Sequence, residues 1–146
     1  MTRLLLSLLL LAPALEAQAP PRVRIVVYRL QAASTAPADT MLARTVGRAL
    51  VRSLIADSMF QVMDRPGASN EMTVPRPPTA QFAVIGGVAI RGAEARVNLR
   101  VVDIANVQLL VQPSVIIPDR SAPDAVTLAA AALARQIHQH FAATAR

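Results

Sequence analysis

The chain of 146 residues contains no cysteine, no lysine and no tryptophan, and only 3% of its residues are aromatic. Without cysteine it forms no disulfides, thiolate metal sites, iron–sulfur clusters or cysteine nucleophiles. The scarcity of aromatic rings removes the stacking platforms that bind single-stranded nucleic acids, so we expect no nucleic-acid partner. Hydrophobic residues make up 53% of the chain, which argues against disorder and predicts one domain of this length.

The charge of the chain is carried by one kind of basic residue. All 15 basic residues are arginine, against nine acidic residues, for a formal net charge of +6. The absence of lysine beside abundant alanine, arginine, proline and valine is typical of a GC-rich genome. Alternatively, the excess of arginine forms a positively charged surface that binds anionic partners.

The first 19 residues predict a targeting segment. A basic start, an apolar run over Leu4–Leu15 and small residues at the end are the parts of a secretory signal peptide. The run is too short to span a bilayer as a helix. Cleavage is expected after Ala17 or Ala19, an open choice because Pro20 would follow the second site. No cysteine follows the run, so we expect a periplasmic or secreted protein without a lipid anchor.

The mature chain begins with patterns typical of a strand followed by a helix. Residues 22–30 are rich in β-branched side chains on both faces, which indicates an interior strand. Asp39 is a suitable N-cap for a helix over 40–57. The apolar side chains of this helix share one arc: Leu42, Val46, Ala49, Leu50 and Leu54.

Three arginines lie on the opposite side of the same helix. Arg44, Arg48 and Arg52 recur every four residues, and we call them the arginine row. Ile55 interrupts this side, which predicts that the last turn is covered. The row is either a solvated helix face or a docking face for an acidic partner or an anionic envelope polymer.

The remaining chain predicts four more strands and a second helix. The strands are expected at 60–63, 81–90, 95–102 and 107–117, and Pro113 makes the last an edge strand or an interrupted one. A proline-rich surface loop is expected over 64–79. Ser121, Pro123 and Asp124 open the final helix, whose buried stripe is Val126, Ala130, Leu133, Ile137 and Phe141.

Together these elements predict an α/β fold in the order β-α-β-β-β-β-α. A mixed sheet of about five strands would carry two amphipathic helices, most simply on one face. The first two strands, joined through a helix, should be parallel. No internal repeat and no transmembrane span are evident, so residues 20–146 are expected to form a single domain.

No set of residues predicts catalysis, a metal or a cofactor. His138 and His140 are two residues apart, so on a helix they point away from each other and cannot share an ion. We expect them to be surface imidazoles near the helix end. Gly86, Gly87 and Gly92 form no phosphate-binding motif and precede a hairpin. Either a sheet bulge or a close backbone approach explains Gly86 and Gly87, and a tight turn explains Gly92.

Three stretches and the closing helix resemble the N-terminal domain of TolB and related TolB-like envelope domains. Arg24–Leu30 resembles the opening strand of that family. Val46–Arg65 resembles its helix running into a strand of the F-x-V-x-x-R type. The segments Ala83–Val88 and Arg96–Asp103 resemble its hairpin, and residues 123–143 its closing helix.

This resemblance implies a small periplasmic domain that acts through protein–protein contacts and has no chemistry of its own. TolB carries a β-propeller after this domain, whereas this chain ends at Arg146, so we expect a free-standing TolB N-terminal-like domain. TolB also has an extended N-terminal segment that engages its partner, whereas we expect only a few residues of the mature chain before the first strand here. Membership in the Tol–Pal system, the oligomeric state and the partner stay open.

Three functions remain for comparison. The first is docking on another envelope protein through the arginine row, the proline-rich loop 66–78 or the edge strand near Pro113, which would accept an added strand. The second is electrostatic binding to anionic envelope polymer or lipid headgroups, which should weaken steeply with salt. The third is a small periplasmic hydrolase, which requires a pocket joining His138 or His140 with a carboxylate and a hydroxyl.

Overall fold

The computed structural model describes residues 21–64 and 80–145. The expected signal peptide and the proline-rich stretch 65–79 lie outside these residues. The described elements are β1 (Val23–Val27), β2 (Gln31–Ala32), α1 (Pro37–Ile55), β3 (Phe60–Asp64), β4 (Phe82–Arg91), β5 (Glu94–Asp103), β6 (Gln108–Val111), β7 (Ser114–Ile117) and α2 (Ala125–Thr144).

The strands form one mixed sheet in the order β3-β1-β4-β5-β6. Strand β1 is parallel to both β3 and β4, whereas β4 and β5 form a long antiparallel hairpin. Because β2 continues β1 along β4 and β7 continues β6 along β5, the sheet has five strand positions. The expected mixed α/β fold is therefore confirmed, and the interior position of β1 explains its apolar side chains on both faces.

The strand predicted over 22–30 ends at Val27, with the short β2 beyond it, and the strand predicted over 107–117 is interrupted. Between β1 and β2, the three residues Tyr28–Leu30 lie opposite only two residues of β4, so the ladder breaks there. Between β6 and β7, Pro113 has no N–H to donate, although its carbonyl accepts a hydrogen bond from Leu99 N–H at 2.8 Å. Both interpretations offered for Pro113, an edge position and an interruption, are correct.

Both helices cover the same face of the sheet, and α1 packs against α2. The buried side chains of α1 are Ala43, Val46, Ala49, Leu50 and Leu54, and those of α2 are Ala129, Ala130, Leu133, Ala134, Ile137 and Phe141. They meet Ile25, Val84 and Leu99 from the sheet in one core. Burial of this apolar surface is the main stabilising contribution to the fold.

The helices begin differently from the sequence prediction. Helix α1 starts at Pro37, where a proline suits the first turn. Asp39 is not its N-cap: it lies in the first turn, where its carboxylate accepts a hydrogen bond from the Ser34 hydroxyl and pairs with Arg120 at 3.5 Å. Helix α2 starts only at Ala125, without a side-chain cap.

The other face of the sheet carries a smaller apolar cluster and then a polar region. Val26, Tyr28, Ala80 and Ala83 are buried there. Further along the strands, the side chains on this face are exposed and polar: Arg96, Asn98 and Arg100. Neither helix in the described part of the chain has the length and hydropathy needed to cross a membrane.

Candidate functional site

The arginine row runs along the solvent side of α1. Arg44, Arg48 and Arg52 are all exposed, because the opposite side of the helix carries its buried residues. Consecutive members of the row are separated by about 6 Å along the helix axis, four residues at about 1.5 Å each. The row therefore presents three guanidinium groups in a line about 12 Å long.

A groove of about 620 Å³ borders the row on one side. Its opposite wall is the end of β1 and the residues that follow it, Val27–Leu30. On the helix, the inner stripe Ala43, Gly47 and Val51 lies beside the arginine row, which forms the rim. The result is a concave surface with a largely apolar floor and a cationic edge.

Arg29 is a fourth arginine of this groove. It is exposed in the interruption between β1 and β2, and no sequence pattern links it to the row. Only the folding of β1 beside α1 brings it to the groove, because Arg29 and Arg44 belong to different elements. No periodicity within either element signals this proximity.

The four arginines of the groove have no ion-pair partner among residues 21–64 and 80–145. Asp39 instead pairs with Arg120, and Asp57 with the His138 ring, so neither carboxylate faces the groove. The positive charge of the groove is thus not neutralised from within the described chain, which favours an anionic ligand there.

A second hollow of about 470 Å³ lies on α1, lined by Pro37, Thr40, Met41, Thr45 and two members of the row. Arg44 and Arg48 line both hollows and form a ridge between them. At the far end of the row, Ile55 is 62% exposed. The expectation that the last turn is covered is therefore wrong for the described residues, since α2 packs against the other side of α1.

The two histidines do not come together. His138 lies against the turn that joins α1 to β3, with Nδ1 2.5 Å from Oδ2 of Asp57, and its ring meets Phe60 edge to face. His140 instead contacts the ring of Phe141. Within the described ranges, no group of three histidine and acidic side chains is placed to hold a metal ion.

The His138 side chain is 40% exposed, as expected for a surface imidazole, but it is also paired with Asp57, which the sequence did not predict. Asp57 is also held by the backbone, since its Oδ1 accepts from the Met59 N–H at 3.0 Å. The pair links the turn after α1 to α2, and neither residue lines the groove or the second hollow. Its evident role is structural.

Gly86 and Gly87 allow close approach of backbones within the sheet. A Cβ on Gly86 would lie 2.2 Å from the carbonyl oxygen of Asn98, and one on Gly87 would lie 2.9 Å from that of Gln31. This agrees with the close backbone approach expected from the sequence. The glycines border a shallow cleft of about 680 Å³ with polar side chains, Gln31, Asn98, Arg100, Gln112 and Ser114.

The sheet and helices define the class of α/β domain found at the N-terminus of TolB. TolB from Acinetobacter baumannii matches with a TM-score of 0.62 at 11% identity, over 83% of this chain and 28% of that chain. This chain thus spans less than a third of that protein. The fold resemblance expected from the sequence is confirmed.

Two further solved structures have the same fold. PelC from Paraburkholderia phytofirmans, described as a dodecamer, matches with a TM-score of 0.58 at 15% identity, over 82% of this chain and 87% of that chain. A DUF330 protein from Xanthomonas campestris matches with a TM-score of 0.55 at 12% identity, over 86% and 90% respectively. No protein-family model matches the sequence, and no curated protein matches it either.

Proposed function

We propose that this chain is an exported domain of the bacterial cell envelope that binds another envelope protein and performs no catalysis. The observation that carries the proposal is the arginine row, which is exposed, lies beside a groove and has no ion-pair partner among the described residues. The TolB-like fold and the expected signal peptide support an envelope location.

The charge of the chain bears on the kind of partner. PelC is described as a dodecamer, but in this chain a formal net charge of +6 disfavours contact between two arginine rows. An acidic surface on a different protein meets the row with complementary charge, which speeds association and fixes orientation. We therefore propose a hetero-complex.

The test is capture of partners from an envelope extract by the purified protein and two variants. One variant replaces Arg44, Arg48 and Arg52 with glutamate. The matched control replaces Arg22, Arg96 and Arg135, which are exposed and lie outside the groove. Each Arg→Glu change lowers the charge by two, so both triples go from +6 to 0.

The supporting result is one protein, identified by mass spectrometry, that the wild type and the control retain and the row variant loses. Reciprocal capture with that partner as bait should retrieve this chain. If all three proteins retain the same set, the row is not the docking site.

Electrostatic binding to anionic envelope polymer is the second candidate, favoured by the same net charge and the same unpaired row. It predicts that retention on isolated cell-wall material or anionic vesicles falls steeply between about 0.05 and 0.5 M salt. It also predicts that both triple variants lose binding, because net charge rather than position would matter. Retention that depends only on the row argues for protein docking.

A further inference from the structure

We propose that the groove beside the arginine row binds an extended acidic peptide segment of the partner, with carboxylates on alternate residues facing Arg44, Arg48 and Arg52. This inference rests on the proposed function and names the form of the partner's contact. The observations that carry it are the spacing of the row, the shape of the groove and the charge of both walls.

The spacing of the row matches an extended chain. Members of the row repeat about every 6 Å along the helix, and alternate side chains of a β-strand repeat about every 6.6 Å on one side. The small difference between these two repeats is within the reach of the long, flexible arginine side chains. Three carboxylates on alternate residues can therefore each contact one guanidinium group.

The floor of the groove suits the backbone and the remaining side chains of such a segment. Ala43, Gly47 and Val51 form a strip of small and apolar residues parallel to the row. Side chains that alternate with the carboxylates point to the opposite wall, formed by Val27–Leu30. Arg29 on that wall adds a cationic contact opposite the row, so both sides of the groove carry positive charge.

Gly47 keeps this strip low. A Cβ there would lie 3.7 Å from the Leu30 side chain, an ordinary contact, so alanine fits without strain. A leucine at this position extends into the groove between α1 and Leu30 and fills it. Substitution of Gly47 by leucine therefore blocks the groove without changing the charge of the protein.

The concave shape favours a peptide over a membrane surface. A flat bilayer reaches the exposed rim of the row but not the floor between α1 and the end of β1. Vesicle binding would therefore be indifferent to Gly47, whereas a peptide lying on the floor would not. This difference separates the two ligands experimentally.

The experiment measures binding of fluorescent nine-residue peptides to the purified protein by anisotropy at about 0.15 M salt. One peptide carries glutamate at its second, fourth and sixth positions among serine and valine. The other has the same composition with its three glutamates contiguous. We expect the alternating peptide to bind about 3- to 5-fold tighter, the value of about one exposed ion pair.

Three variants locate the site, and two more serve as controls. Replacing the row with glutamate should weaken binding of the alternating peptide by at least about 10-fold, and Arg29→Glu by about 3-fold. Gly47→Leu should weaken it by about 5-fold at unchanged charge, while Gly47→Ala changes it by less than about 2-fold. The Arg22, Arg96 and Arg135 control variant should stay within about 2-fold.

Equal affinity for the two peptides, or binding insensitive to Gly47→Leu in a protein that remains folded by circular dichroism, overturns the inference. Tighter binding of phosphatidylglycerol vesicles than of either peptide, lost in the row variant, assigns the row to a membrane surface instead. If envelope capture still depends on the row while neither peptide binds, the proposed function stands and the extended-segment form of the contact is wrong.

Discussion

His138 and Asp57 join the two helices at one end of the domain, with Nδ1 of the histidine 2.5 Å from Oδ2 of the aspartate. The two residues are 81 positions apart in sequence. Asp57 follows the end of α1 and also holds the turn into β3 through the Met59 N–H. One carboxylate thus ties a helix end, a strand start and the final helix together.

Loss of this pair should destabilise the domain. We expect Asp57→Ala and His138→Ala each to lower the free energy of unfolding by about 1–2 kcal/mol, through lost hydrogen bonds and lost packing on Phe60. Urea denaturation of both variants and the double variant should give a coupling free energy of about 0.5–1.5 kcal/mol. His140→Ala is the control variant and should lower the free energy of unfolding by only about 0.5 kcal/mol. A coupling free energy of zero between Asp57 and His138 would show that their contact contributes nothing to stability.

Gly86 should tolerate no side chain. Alanine there places a Cβ 2.2 Å from the Asn98 carbonyl oxygen and 2.9 Å from the Leu99 Cα, both backbone atoms of the neighbouring strand. We expect Gly86→Ala to lower the free energy of unfolding by about 3 kcal/mol or more. Gly47→Ala, in the middle of α1, should instead raise it by up to about 1 kcal/mol. Equal effects of the two changes in urea denaturation would contradict this explanation.

Asp119 should make the stability of the domain depend on pH in the acid range. Hydrogen bonds from the hydroxyl and the backbone N–H of Ser121 hold the pKa of its carboxyl below the usual value of 3.8. Because the folded pKa is lowered, the stabilisation is present above the unfolded value and is lost as pH falls through the folded one. Asp119→Asn should therefore be less stable than the wild type at pH 6, and the difference should shrink as the pH falls below 3.8 and through the folded pKa. A difference that persists at the lowest pH means that charge is not involved.

Gln136 should protect an edge of the sheet. Its side-chain amide accepts a hydrogen bond from Ser114 N–H at 3.2 Å and donates one to the Ser114 carbonyl at 3.0 Å. The Gln136 amide thereby occupies the N–H and carbonyl of Ser114, which an added strand would need for pairing. This argues against strand addition by a partner at this part of the edge near Pro113. Gln136→Ala should form concentration-dependent dimers or larger species in analytical ultracentrifugation. Gln139→Ala, an exposed change on the same helix, should remain like the wild type.

The helices and their buried sides were predictable from sequence because their apolar residues repeat with the period of a helix. Leu50, Leu54, Leu133 and Ile137 are buried as that period requires. The close approach at Gly86 was also predictable, since a glycine inside an apolar strand has few other roles. These features depend on information within one element.

The features that sequence reasoning missed depend on contacts between elements. Arg29 joins the groove only because β1 ends beside α1, and His138 finds its carboxylate on a different helix end. Asp39 resembles an N-cap by residue type, yet Pro37 starts the helix earlier. Local propensity places such residues near a helix start but does not choose among neighbouring positions.

The position of α2 has a consequence for the order in which the domain is completed. Its six buried side chains come from the last described element and cover the same core that β1 and α1 begin. A chain that lacks α2 leaves part of the apolar sheet face exposed to water, although α1 already packs on the same core. We therefore expect the hydrophobic core to be complete only once the final helix is in place.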